Sequence, residues 1–323
     1  MENIIEVKGL TKEFTVYKKK GFIKREASLV KAVSDISFNV AEGEILAFIG
    51  PNGAGKSTTI KMLTGILQPT GGNISVMGFN PSRDRRKIAY HIGTVFGQKS
   101  QLWFHLPPRD SFELLGSIYD VPKEKLKKRV DYLTEVMEIE DLLDIPVRKL
   151  SLGQRIRCEI AASLIHSPEI MFLDEPTIGL DVIAKKNLRN LIKRINQEEK
   201  TTIFLTSHDM GDIEKLCKSM IIINCGTILL DDDVKNLKYN YDNKKVISIR
   251  YAEDIAKEPD GLSIISKAPN GLKVEVDTEK SNIDQVIGSL FKLGTVDDIS
   301  ISSKPLEDII GDIYSLRQVK GGA

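Results

Sequence analysis

The chain has 323 residues, 41% of them hydrophobic and 28% charged, and its 46 lysines and arginines are balanced by 45 aspartates and glutamates. That length has room for two domains with extensive cores, and a net charge of +1 creates no field that would draw nucleic acid or anionic lipid by itself. The apolar runs are short, such as those at 45–49 and 221–223, and fall far short of the roughly 20 residues that a membrane-spanning helix needs.

The amino terminus carries Glu2 and Glu6 where a signal peptide would be basic and then apolar, which points to the cytosol. Residues 44–49, apolar from Ile45 onward, predict a buried strand feeding a glycine-rich loop. The stretch 58–67 then spaces Ile60, Leu63 and Leu67 on one face of a helix. Charged stretches at 123–143 and 184–195 predict surface helices, and the runs 170–173 and 203–205 predict two more buried strands. Strands interleaved with helices up to about residue 239 predict an α/β domain around a largely parallel sheet.

The apolar pattern breaks at 238–243. Beyond it, 246–251 and 272–276 alternate as half-buried strands, 283–293 has helical spacing, 299–302 reads as a strand and 305–318 as a closing helix. The expectation is a large domain over 1–239 and a small α+β domain over 240–323. Cys158, Cys217 and Cys225 are odd in number and in no C-x-x-C spacing, so reduced thiols are expected rather than disulfides or a zinc site.

The run Gly50-Pro51-Asn52-Gly53-Ala54-Gly55-Lys56-Ser57 is a full G-x-x-x-x-G-K-[ST] between a predicted strand and a predicted helix, the context that a phosphate-binding loop requires. Its glycines let backbone N–H groups turn inward on an anion, and the helix end adds its positive pole. Lys56 is placed to reach the β- and γ-phosphates, and Ser57 to offer a hydroxyl to Mg²⁺. Gly50, Asn52, Gly53, Gly55, Lys56, Ser57 and Thr58 are the candidate phosphate-binding set. The run 170–173 ends in Asp174-Glu175, two carboxylates at the carboxyl end of a buried strand, where open α/β sheets bind ligands. Asp174 suits the Mg²⁺ shell, and Glu175 suits the water that attacks the γ-phosphate.

Three further runs complete a set: Leu150-Ser151-Leu152-Gly153-Gln154-Arg155, Gly179-Leu180-Asp181 and Thr206-Ser207-His208-Asp209. In this order with the phosphate loop, the chain resembles the ATP-binding cassette (ABC) ATPases over about residues 4–238. The resemblance implies a P-loop nucleotide-binding fold with a helical subdomain, ATP and Mg²⁺ as ligands, and hydrolysis between two cassettes packed head to tail. It assigns Ser151, Gly153 and Gln154 to the γ-phosphate of the other subunit's ATP, His208 to the γ-phosphate of its own site, and Asp181 to coupling across the dimer. It assigns Gln98, in Val95-Phe96-Gly97-Gln98, to a link between Mg²⁺, water and a membrane subunit, so that Glu175, His208 and Gln98 form the catalytic set and Ser57, Gln98 and Asp174 the metal set. One departure stands out: the third signature position is Leu152 where the family usually has glycine, and a leucine there can restrict backbone approach and slow closure.

The segment 10–14 resembles the family's first strand, whose aromatic residue stacks on adenine; Phe14 is the first candidate and Tyr17 competes. The basic run 17–25 reads as a solvated loop. The resemblance, most like the drug, antibiotic and sodium export group, implies an ATPase subunit on the cytoplasmic face of the membrane. Its partners would be separately encoded permease subunits, meeting Gln98 and the stretch 102–107, and a second ATPase subunit, with a homodimer ahead of a heterodimer and no nucleic acid. The rival reading is an ABC ATPase acting on ribosomes or DNA without a membrane partner. It is disfavoured by a single phosphate loop and the lack of a long coiled-coil insertion.

Overall fold

The computed structural model describes residues 2–20, 24–96, 100–240, 244–255 and 262–318. Gln98 and residues 21–23 of the basic run lie outside them. The chain divides into two compact units, 1–232 and 233–323. The division falls earlier than the break in apolar pattern, because the helix that follows residue 233 belongs with the second unit.

The first unit begins with β1 (Asn3–Lys20), β2 (Lys24–Ala41), β3 (Ile45–Ile49), α1 (Lys56–Leu63), β4 (Gly71–Val76), α2 (Arg85–Ala89) and β5 (Ile92–Phe96). It continues with α3 (Pro108–Ile118), α4 (Lys123–Met137), α5 (Leu152–Ser163), β6 (Ile170–Asp174), α6 (Val182–Glu199), β7 (Thr202–Thr206), α7 (Met210–Leu216), β8 (Ser219–Asn224) and β9 (Thr227–Asp233). A six-stranded sheet runs in the order β5-β6-β7-β3-β8-β9, and its β5, β6, β7, β3 and β8 pair in parallel. Every residue of β3 and β7 is buried, as a parallel strand covered on both faces must be, so these strands read as continuous apolar runs without alternation.

A second, antiparallel sheet of order β2-β1-β4 packs on the first. Phe38 of β2, Phe48 of β3 and Phe204 of β7 join the two layers, with ring centroids 5.7 Å (Phe38 to Phe48) and 5.2 Å (Phe48 to Phe204) apart. Tilted aromatic packing of this kind fills the space between sheets and adds about 0.5–1.5 kcal/mol per pair beyond burial. The helices α3, α4 and α5 pack on one another as the helical part of the unit.

Two helices end earlier than their apolar spacing predicts. The first stops at Leu63, with the chain turning at Gly65 in the left-handed region, so Leu67 lies beyond the helix. The second stops at Met137 because Glu138 adopts φ 52°, and a short 3₁₀ turn, Glu140–Leu142, follows. Arg157 of α5 donates to the carbonyls of Met137 (3.3 Å) and Glu138 (2.9 Å), which satisfies acceptors that the helix end leaves open.

The second unit comprises α8 (Val234–Asn240), β10 (Lys244–Tyr251), β11 (Ser263–Ala268), β12 (Gly271–Asp277), α9 (Ile283–Phe291), β13 (Val296–Ser303) and α10 (Leu306–Gln318). Its sheet is antiparallel, in the order β11-β12-β10-β13. Alternate residues of β12 are buried, and Leu272, Val274 and Val276 meet Ile247, Ile249, Tyr251 and Leu290 in a core of their own. Strand β11 has no counterpart in the sequence reading, because it sits at the sheet edge with most of its residues exposed and so needs little apolar pattern.

Candidate functional site

Adjacent parallel strands deliver their carboxyl ends to one place. In the order β6-β7-β3, β3 ends at the phosphate loop, β6 at Asp174-Glu175 and β7 at Thr206-Ser207-His208. Gly55, at φ 110°, is the N-cap of α1, and no side chain caps that end. The first-turn N–H groups are therefore free of competing side-chain acceptors, and with the helix dipole they are able to donate to an anion. A Cβ on Gly55 would stand 2.6 Å from the Ala32 carbonyl of β2, so only glycine fits there. Asn52 and Gly53 form the exposed crest of the loop, while Thr58 lies half-buried on α1.

Lys56 is 6% exposed and donates to the carbonyls of Gly50 (2.6 Å) and Pro51 (3.3 Å). Burial pushes its pKa down, while the charges of Glu175 and Asp174 pull the other way. The ammonium rests on its own loop, and phosphate oxygens are better acceptors than these carbonyls.

Ser57 Oγ donates to Asp174 Oδ2 at 3.3 Å. Thr206 Oγ1 donates to Asp174 Oδ1 at 2.6 Å and accepts from the Glu175 N–H at 3.1 Å. A hydroxyl beside a carboxylate is an all-oxygen donor pair, which fits a hard cation such as Mg²⁺, held by one or two protein oxygens together with phosphates and water. Glu175 takes φ 54°, a left-handed conformation that costs a non-glycine residue about 1–2 kcal/mol. Its N–H bonds to both the hydroxyl and the carbonyl of Thr206 hold it there. The result aims its carboxylate at His208, whose Nε2 lies 2.7 Å from Glu175 Oε1.

Behind this cluster lies a buried network that the sequence reading missed. Asp212 of α7 is 1% exposed; it pairs with Arg189 of α6 at 2.6 Å and accepts from Thr177 Oγ1 at 2.6 Å and Ser207 Oγ at 3.5 Å. Thr177 follows Glu175 and Ser207 precedes His208, so one carboxylate fixes both loops. Lys185 pairs with Asp209 at 2.6 Å, and that hydrogen bond holds the Asp209 carboxyl below its usual range.

The signature residues lie apart from this cluster. Ser151 is the N-cap of α5: its Oγ accepts from the Gln154 N–H (3.2 Å), and Gln154 Oε1 accepts from the Ser151 N–H (2.9 Å). This reciprocal capping box gives the Ser-x-x-Gln spacing a local cause. A groove of about 440 Å³ is lined by Ser151, Gly153, Gln154, Gly179 and Asp181, and no residue of the phosphate loop lines it. Asp181 caps α6 through the Ala184 N–H at 2.8 Å. Leu152 is 38% exposed and lies over the turn at Gly179, where a Cβ would meet Leu152 Cδ2 at 2.9 Å.

Of the two aromatic candidates, Phe14 pairs with Val30 and Tyr17 with Ala27. At about 3.4 Å per residue, Val30 is about 7 Å along β2 from Ala32, which touches Gly55, and Ala27 is about 17 Å away. In the stretch 102–107, Leu102 is buried while Trp103, Phe104 and Leu106 are exposed.

The family model described as "ABC transporter" matches residues 33–178. The ABC transporter ATP-binding protein NatA of Bacillus subtilis is 31% identical over 69% of this chain and 89% of its own length. The bacitracin transport ATP-binding protein BcrA of Bacillus licheniformis is 34% identical over 69% of this chain and 71% of its own. Among solved structures, the dimeric post-hydrolysis ATP-binding cassette MJ0796 bound to ADP and Pi shares 25% identity and a TM-score of 0.61, covering 71% of this chain and 98% of that one. Both Bacillus relatives exceed 30% identity over 223 residues; the chain therefore belongs to the ABC transporter family, as an ATP-hydrolysing, ATP-binding subunit.

Proposed function

We propose that this chain is the ATPase subunit of an exporter, docked peripherally on separately encoded membrane proteins at the cytoplasmic face and working as a pair of cassettes. The observation that carries this reading is a split: Lys56, Ser57, Asp174, Glu175 and His208 gather in one cluster, whereas Ser151, Gly153 and Gln154 line a groove with none of them. A signature that cannot serve its own phosphate loop is built to serve another's. The bacitracin transport relative supports a transported cargo of antibiotic type, export is the direction that the sequence resemblance implies, and no helix among the described residues is long and apolar enough to cross a membrane.

In this reading the α1 N–H groups and Lys56 bind the phosphates, and Phe14, a step along the hairpin from Gly55, stacks on adenine. Ser57, Asp174 and Gln98 would hold Mg²⁺, which when bound neutralises charge on the β- and γ-oxygens. Glu175 orients and deprotonates the attacking water, and His208, bonded to Glu175 in this structure, turns to the γ-phosphate when nucleotide arrives. The exposed Trp103, Phe104 and Leu106 offer apolar area to a permease helix. The second unit, 233–323, serves as an accessory regulatory domain.

Lys56→Ala and Glu175→Gln test the roles. The first removes a contact that ATP makes on binding, and the second disables the water. Nucleotide affinity should fall in Lys56→Ala alone, while turnover falls in both. Equal loss of affinity in the two variants would contradict the assignment.

A further inference from the structure

Leu152 stands where glycine is usual, and the structure gives its side chain a definite place. It is the first residue of α5, and its Cδ2 lies so close to Gly179 that a Cβ there would stand 2.9 Å from it. Gly179 adopts φ 75°, a conformation that itself favours glycine, and the bare Cα leaves room for the leucine. The next residue adds to the contact: a Cβ on Gly153 would stand 3.5 Å from Ala184 Cβ and 3.8 Å from Leu180 Cδ2, ordinary van der Waals distances. The first turn of α5 is thus packed on residues 179–184, which include Asp181 and the start of α6.

Those residues are the far end of a closed turn. The Ile178 N–H donates to the Glu175 carbonyl at 3.3 Å, and the Leu180 N–H donates to the Thr177 carbonyl at 3.2 Å. Thr177 Oγ1 is held by the buried Asp212, and the Glu175 N–H by Thr206. Gly179 comes four residues after Glu175, the carboxylate that faces His208. The signature lines a groove apart from its own phosphate loop, yet through Leu152 it touches the turn that leaves its own Glu175. A displacement at either end of this packed, bonded path is passed to the other.

We propose that Leu152 is a positioning residue that packs the signature onto the turn leaving Glu175, so that arrival of the signature on a second subunit's ATP and placement of Glu175 in the chain's own site occur together. This rests on the reading that Glu175 and the signature act in hydrolysis. It also reverses the sign expected from the sequence. A leucine that restricts approach slows closure, and its removal would speed turnover. A leucine that fills the space over Gly179 sets the geometry of the turn, and its removal slows turnover.

The test uses the full-length chain with Mg-ATP and compares Leu152→Gly, Leu152→Ala, Leu152→Met and Ser151→Arg. Turnover is measured per subunit competent to bind fluorescent ATP, so loss of folded protein does not enter. The mass of ATP-induced dimers is measured with Glu175→Gln added to each, which keeps hydrolysis from dispersing them. Leu152→Ala and Leu152→Gly should keep nucleotide affinity and the ATP-induced dimer while turnover falls about tenfold, the scale of a misplaced catalytic group. Leu152→Met, which conserves volume, should restore at least about half of the turnover. Turnover in the alanine or glycine variant equal to or above that of the unmutated chain overturns the proposal, as does a methionine no better than alanine. Loss of the dimer in Leu152→Ala also overturns it, because the leucine would then serve association and not placement of Glu175. If Ser151→Arg abolishes turnover and the Leu152 variants do not slow it, the role of the signature survives without the leucine. If Ser151→Arg itself leaves turnover unchanged, the underlying reading falls and the positioning role falls with it.

Discussion

Two arginines of helix α6 pair with carboxylates at similar separations and in opposite surroundings. Arg189 meets Asp212 at 2.6 Å with side chains 11% and 1% exposed, and Arg194 meets Glu198 at 2.7 Å with side chains 45% and 42% exposed. Replacing Arg189 by Leu leaves a carboxylate sealed from water with only Thr177 and Ser207 as donors, a change that costs about 3–5 kcal/mol. Replacing Arg194 by Leu breaks an i,i+4 surface pair worth about 0.3–0.5 kcal/mol. For a unit of this size each kcal/mol shifts Tm by about 2–4 °C, so Arg189→Leu should lower it by about 10 °C and Arg194→Leu by no more than about 2 °C. Trp103 is the chain's sole tryptophan and lies in the first unit, so its fluorescence follows unfolding of that unit alone. Because Asp212 also anchors the loops bearing Glu175 and His208, turnover should fall in Arg189→Leu below the temperature at which it unfolds. Equal Tm shifts in the two variants would refute the assignment of distinct energies to burial.

Two further outcomes are expected. His166 stacks on Tyr119 at 3.8 Å and bonds the Ile92 carbonyl through Nε2, and burial pulls its pKa down to about 4; the unfolded chain takes up that proton near pH 6.5. The group therefore lowers stability as pH falls from about 6.5 toward 4, by about 2.5 kcal/mol at pH 4.5. His166→Phe should flatten the decline in Tm over that window, and an unchanged slope would contradict it. A chain ending after Asp233 keeps every nucleotide motif and the whole first unit, so it should fold and gain about 2.7 kcal/mol from Mg-ATP at a hundred times Kd; calorimetry that finds no gain would place part of the nucleotide site in the second unit.

What the sequence discloses is what local physics writes into it. Strands β3 and β7 are buried on both faces and so appear as unbroken apolar runs, and the phosphate loop needs glycine where Gly55 passes the Ala32 carbonyl. Ser151 and Gln154 are legible twice over, once as a signature and once as a capping box. Strand β11 escapes because an edge strand carries few buried positions. The overlong helix at 123–143 escapes because Glu138 ends it through a backbone conformation and a bond from Arg157, far away in sequence. The Arg189–Asp212 pair escapes for the same reason: it joins residues that only the fold brings together.

The most direct test of two subunits sharing each site mixes Lys56→Ala chains with Ser151→Arg chains. The first lacks its own phosphate contact, and the second spoils only the site that it completes for its neighbour, so each alone should fail to dimerise on ATP. In the mixed pair the phosphate loop of the Ser151→Arg chain faces the intact signature of the Lys56→Ala chain, leaving one site whole. Mass measurement of the mixture with Mg-ATP should show dimers returning. If no dimer forms on mixing, although the unmutated chain dimerises under the same conditions, the shared-site account of this chain is contradicted.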